Sequence, residues 1–237
     1  MTHALRFGIG WFFAGLLVVV PGAAQPASGT TLEQLGHEDF TVRQTATKRL
    51  LLDDSLSLET LGRWADRELS LEQQHRLLKI AEHHALRQIR LAEFPAQGPG
   101  SIGVVQSIRP ARPGRDETPE RGVLITQVLP GFPGTGRLRA GDQITAINGV
   151  AIEEGPAKSE LFQARMRAFR AGESITLTVT REGATLDVAV PLANGAALPQ
   201  MYPPDLFKLA PRFVEEWQEE RRNRFAALAP QLLKTAP

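Results

Sequence analysis

The residues best suited to proton transfer or metal ligation are the five histidines, His3, His37, His75, His83 and His84. His37-Glu38 begins as a zinc-hydrolase helix begins, but Thr41 stands where the second metal-binding histidine of H-E-x-x-H is needed. His75, His83 and His84 share one helical stretch with Glu82. Adjacent helical residues point about 100° apart, so His83 and His84 cannot close on one ion, and the expectation is a solvated helix surface. The chain has no cysteine, which removes disulfides, thiolate metal sites and a thiol nucleophile together. No serine elbow, phosphate-binding loop or dinucleotide fingerprint is found. The expectation is a chain that is not an enzyme, with no catalytic residues, no metal and no cofactor.

The elements that would carry any function lie further along. An apolar strand over 122–129 enters the Pro/Gly-rich connection LPGFPGTG, and Leu138 and a Gly141-Asp142 corner follow. A second strand over 143–147 places Ile144 and Ile147 among less apolar residues, with Thr145 outward. Asn148-Gly149 comes next, the pair that best tolerates the positive φ values of a type I′ hairpin turn. Upstream, GSIGV opens a strand reaching 108. Downstream, Leu161, Phe162, Met166 and Phe169 have helical spacing over 159–169, and strands over 174–181 and 185–191 flank a Glu182-Gly183 turn.

This order resembles the PDZ domain, in the circularly permuted form attached to bacterial envelope proteases, over about 98–193. The resemblance implies an α+β fold: a small, partly open antiparallel β-barrel or sandwich with a flanking helix. One departure is that Gly134-Thr135-Gly136-Arg137 stands where those modules carry a short Ala-rich helical turn, so an irregular turn is expected. Only about seventy residues precede the domain, too few for the two-barrel protease that such modules accompany.

The resemblance also implies a binding mode. An extended peptide would add a strand to the sheet edge beside the helix, its terminal carboxylate held by converging backbone N–H groups. The carboxylate loop would be Gly100, Ser101, Ile102 and Gly103, with Gly103 leaving room for close backbone approach. Val104 and Gln106 would continue the pairing strand, and Phe162 and Met166 would line the pocket for the last apolar side chain. For Phe162, Met166 and Phe169, plain core packing is an equal alternative. The implied partners are protein or peptide C-termini, in an envelope adaptor or scaffold. The alternative is a structural protein whose groove is filled by its own chain.

The flanks are read from pattern. Residues 1–24 combine Arg6, an apolar run over 7–20 and small residues Gly22 and Ala24, the form of a secretory signal peptide cut after Ala24. An uncleaved anchor is the alternative and would be the one membrane contact. Removing that segment takes away one cation and leaves 26 basic against 26 acidic residues, which gives no electrostatic footprint for nucleic acid. After a linker at 25–30, a helical segment spans 31–94. It has Asp39 as an N-cap, a face of Val42, Ala46, Leu50 and Leu51, and Arg43, Thr47 and Lys48 turned away. Ser57 starts another helix, and Ser70 with Gln73 forms a capping box for a third, whose apolar positions are Leu71, Leu77, Leu78, Ala81, Leu86 and Ile89. Asp39, Val42, Arg43, Ala46 and Leu50 follow the pattern of a HEAT-type repeat, at barely one and a half units. Residues 95–100 read as a hinge into the PDZ-like part (95–193), 110–120 as a polar loop and 194–204 as a linker. A final helix over about 205–228, in a C-terminal helix and tail at 205–237, has Phe207, Phe213 and Trp217 on its stripe and is expected to pack on its own chain.

Overall fold

The computed structural model describes residues 30–107, 122–153, 155 and 157–202. The signal-like segment, the 110–120 loop and the C-terminal helix lie outside these residues.

Four helices come first: α1 (Thr30–Gln34), α2 (Phe40–Leu52), α3 (Leu58–Ala65) and α4 (Leu71–Glu93). Their starts are fixed by side chains that satisfy otherwise orphaned N–H groups. Asp39 accepts from the Thr41 N–H and Ser57 from the Thr60 N–H. At Ser70 the capping box is complete, since the Gln73 N–H donates to Ser70 Oγ and the Ser70 N–H donates to Gln73 Oε1. Leu35, Leu61, Leu77, Ile80 and Ala81 fill the core between the helices. Burying each large aliphatic side chain is worth roughly 1.5–3 kcal/mol.

Two expected faces are corrected here. Thr47, read as turned away, is buried, because its hydroxyl bonds the Arg43 carbonyl and accepts from Arg76. Leu71, read as apolar face, is 74% exposed, while Ile80, His83, His84 and Ala85 are buried instead. The histidine pair is therefore interior rather than solvated, its rings edge-to-face at 5.2 Å.

The second unit is built from β1 (Gly100–Ser101), β2 (Val104–Gln106), β3 (Val123–Val128), β4 (Gln143–Ile147), β5 (Val150–Ala151), α5 (Lys158–Ala168), β6 (Ser174–Arg181), β7 (Ala184–Pro191), β8 (Ala193–Asn194) and α6 (Ala197–Met201). The main sheet runs β2-β3-β4-β6-β7, antiparallel and not closed, and β1 pairs with β8 in a separate ribbon. Alternation sends Ile175, Leu177 and Val179 of β6 inward against Ile125, Ile144, Phe162 and Met166. Asn148 and Gly149 take φ values of 49° and 76° between Ile147 and Val150, the two-residue hairpin the sequence calls for.

The Gly-Asp corner has a structural cause. Asp142 is 1% exposed, its carboxylate accepts the Arg139 N–H at 2.9 Å, and it takes both arms of the Arg181 guanidinium at 2.7 Å. This bond to the carboxylate raises the affinity of Arg181 for its proton.

Two segments read as connectors are tied down. The 95–100 stretch is pinned by the Ala171 N–H on Gly98 O, the Gly195 N–H on Pro99 O and the Gly100 N–H on Phe169 O, so it is no hinge. Part of the 194–204 stretch forms β8 and α6 and ends on Tyr202, whose hydroxyl donates to Pro130 O at 2.9 Å.

Candidate peptide-binding groove

The loop from Ser101 to Val104 joins the small ribbon to the edge of the main sheet. Ser101 is buried in β1, and its Oγ accepts the Gly103 N–H at 3.2 Å. Ile102 and Gly103 turn their carbonyls onto the 129–134 turn, where the Gly134 and Leu129 N–H groups donate to them, each at 2.9 Å. No described residue accepts from the Ile102 N–H. A backbone donor left open beside a glycine of positive φ is one element of an anion nest.

Gly103 has φ +72°, and a Cβ there would overlap Cβ and Cγ of Phe132, which is 0% exposed. The packing of Phe132 beneath the loop therefore requires a glycine here, a reason that the sequence reading did not give. Gly100 is likewise closed in, with a Cβ there falling 2.6 Å from Leu192 Cδ1. Gly98, Gly100 and Gly103 do have the spacing G-x-G-x-x-G, but they lead into β2 and so lack the helix N-terminus that would hold a pyrophosphate.

One wall of the groove is β2, an edge strand whose described pairing is with β3 alone. Its N–H and C=O groups on the other side are the template for an added strand. Val104 and Gln106 are half-buried, and Gln106 Oε1 is enclosed with no partner among the described residues. The other wall is α5. Phe162 and Met166 are 4% and 7% exposed and belong to the same apolar cluster as Ile102, so they pack as core. Leu161, expected on the same face, is 36% exposed. At the far end, Ser159 Oγ on the first turn of α5 donates to Ser107 O at 3.3 Å and draws helix and strand together.

Beneath the loop, the 129–137 segment is a chain of turns without a helix, as expected from its glycines. It rests on α4. The Gly131 N–H donates to His83 Nδ1 at 3.0 Å, and Gly131 O accepts from Arg90 Nε at 2.8 Å. A Cβ at Gly131 would lie 2.7 Å from Leu86 Cβ, so the approach is backbone on helix. The Arg90 guanidinium lies 5.8 Å from the Phe132 ring centroid, and the Tyr202 ring packs tilted against Phe132 at 6.2 Å. Burial, with His84, Arg87, Arg90 and Arg137 nearby, pulls the His83 pKa down to about 3. His83 is therefore neutral and free to accept through Nδ1. Burial also lowers the pKa values of Arg90 and Arg137, with Asp54 opposing in both cases.

Residues 100–192 match the family model described as PDZ domain, so the chain carries a PDZ domain with helices flanking it. Two solved structures to which the chain is similar are an HtrA-type protease, AlgW, with decapeptide, and a serine-to-alanine variant of it, also with decapeptide. The first is 22% identical at a TM-score of 0.32 and covers 40% of this chain and 29% of the other. The second is 19% identical at 0.31 and covers 46% and 33%. The chain thus spans about a third or less of the length of these proteases. No curated protein matches it.

Of the residues read as the site, Ile102, Phe162 and Met166 share one apolar cluster with Val104 packed against it, Gly100 and Ser101 lie in β1, Gly103 in the loop and Gln106 in β2. Sequence reasoning missed Phe132, Ser159, His83 and Arg90. Phe132 carried a signal, a lone aromatic in a Pro/Gly-rich turn, whereas the contacts of His83 and Arg90 span more than forty positions and leave no local pattern.

Proposed function

We propose that the PDZ domain binds the C-terminal segment of a protein or peptide between β2 and α5, and that the chain serves as a non-catalytic, exported adaptor. The observation that carries this reading is the open Ile102 N–H at the head of an edge strand, over an apolar floor. A terminal carboxylate would accept from the loop, the peptide backbone would pair along 104–106, and its last side chain would enter beside Phe162 and Met166. The test is fluorescence anisotropy with labelled apolar-ended peptides as free acids and as amides. A charge-assisted hydrogen bond of about 1.5–3 kcal/mol makes the amide roughly tenfold to a hundredfold weaker. Equal binding of the two forms removes the carboxylate from the mechanism.

The absence of catalysis belongs to the same proposal, supported by the burial of His83 and His84 in packing roles. Cleavage of an unfolded protein substrate, abolished by one point mutation in this chain, would overturn it. Export rests on the 1–24 pattern. A mature N-terminus near Gln25 in envelope protein supports it, and intact Met1 in the cytoplasm contradicts it. Among the described residues no helix is long and apolar enough to cross a membrane.

The Ser159–Ser107 bond favours a second reading, a structural module whose groove does not take ligands, since it closes one end of the groove. Failure of every apolar-ended peptide in a broad screen would select that reading.

A further inference from the structure

We propose that α4 of the helical unit positions the carboxylate loop of the PDZ domain, with His83 and Arg90 acting through Gly131 and Phe132. This inference rests on the peptide-binding reading above, and it concerns residues that touch no peptide.

The chain of contacts is short and continuous. Both backbone groups of Gly131 are held by α4 side chains, its N–H by His83 Nδ1 and its carbonyl by Arg90 Nε. Both side chains are buried, so neither bond is readily exchanged for water. The next residue, Phe132, fills the space directly beneath Gly103. On either side of it, the Leu129 and Gly134 N–H groups hold the Gly103 and Ile102 carbonyls. The Ile102–Gly103 and Gly103–Val104 peptide units, which directly follow the open Ile102 N–H, are therefore fixed from below by a turn that is itself fixed by α4. A tight, close-packed wedge transmits displacement rather than absorbing it. Hydrogen bonds to a carboxylate weaken steeply with misalignment, so a tilt of this turn reads out first in carboxylate recognition.

One feature separates this arrangement from ordinary packing. The groove floor, Phe162, Met166 and Ile102, belongs to a different apolar cluster from Phe132 and Leu129. A change at the α4 contact therefore alters the loop while leaving the pocket for the last side chain in place. The affinity of an amide-capped peptide, which uses the pocket and the strand edge, then becomes the internal control.

The experiment uses the full chain and labelled ten-residue peptides ending in Val, Leu or Phe, each as free acid and as amide. The measured quantity is the acid-to-amide affinity ratio for the wild type, R90A, R90K, H83L and H83Q, with thermal unfolding followed on the same samples. For R90A and H83L, the ratio should fall about tenfold while amide affinity stays within twofold. H83Q, whose side-chain oxygen can accept the Gly131 N–H, should retain most of the ratio. R90K, which keeps the charge but loses the guanidinium near the Phe132 ring, should fall between. If R90A and H83L fail to fold, the R90K ratio carries the test. Folded R90A, H83L or R90K protein that keeps the wild-type ratio overturns the inference while leaving peptide binding intact. A wild type that binds acid and amide equally overturns the carboxylate reading, and the inference falls with it.

Discussion

The buried His83 makes acid stability a quantitative test of how the two units are joined. In an unfolded chain histidine titrates near 6.5, and in the native protein His83 is held down to about 3. Above pH 6.5 neither state carries the proton, so the full stability is present. Between 6.5 and 3 only the unfolded chain binds it, so stability falls by about 1.4 kcal/mol per pH unit. Acidification from pH 7 to pH 5 should therefore cost about 2 kcal/mol through His83 alone. The groups responsible are burial first, then His84, Arg87 and Arg90 on α4 and Arg137 on the facing turn. His84, whose Nε2 bonds Leu50 O at 2.8 Å, is shifted in the same direction and adds to the loss. Urea unfolding of the wild type and H83Q at pH 7 and pH 5 isolates the His83 share. The variant should lose roughly 2 kcal/mol less than the wild type over this range. Equal losses in the two proteins would refute the assignment of His83 as a buried neutral acceptor.

Other outcomes follow from single contacts. D142N should destabilise the PDZ unit by about 1.5–3 kcal/mol in urea unfolding, since it removes the charge that the Arg181 fork needs. G103A should abolish the native PDZ fold, seen as lost amide dispersion in NMR spectra, because its methyl must enter the space of Phe132. S159A should strengthen binding of ten-residue peptides by roughly twofold to tenfold in anisotropy, since a weak bond of about 0.5–1.5 kcal/mol no longer occupies Ser107 O, while tripeptides bind unchanged.

Much of the PDZ unit was legible because its signals are local. Asn148-Gly149, Glu182-Gly183 and the alternation of Ile175, Leu177 and Val179 each specify conformation within a few residues, and the capping residues Asp39, Ser57 and Ser70 do the same for the helices. What stayed hidden depends on distant partners. Thr47 reads as a polar, outward residue until Arg76 reaches it from α4, and His83 reads as solvated until the Gly131 N–H arrives from 48 positions away. The 95–100 stretch has the composition of a hinge, yet bonds to 169, 171 and 195 hold it fast. Gly103 lies in the loop that follows β1, and the packing of Phe132 against it is a demand that no spacing rule reveals.

The central claim is that the loop at Ile102 receives a carboxylate, and amide NMR on the full chain tests it most directly. Titration with an apolar-ended peptide acid should move the Ile102 N–H resonance downfield together with those of 104–106. The matching peptide amide should move 104–106 while leaving Ile102 nearly still. Saturable binding of the acid that leaves the Ile102 resonance unmoved would contradict the account.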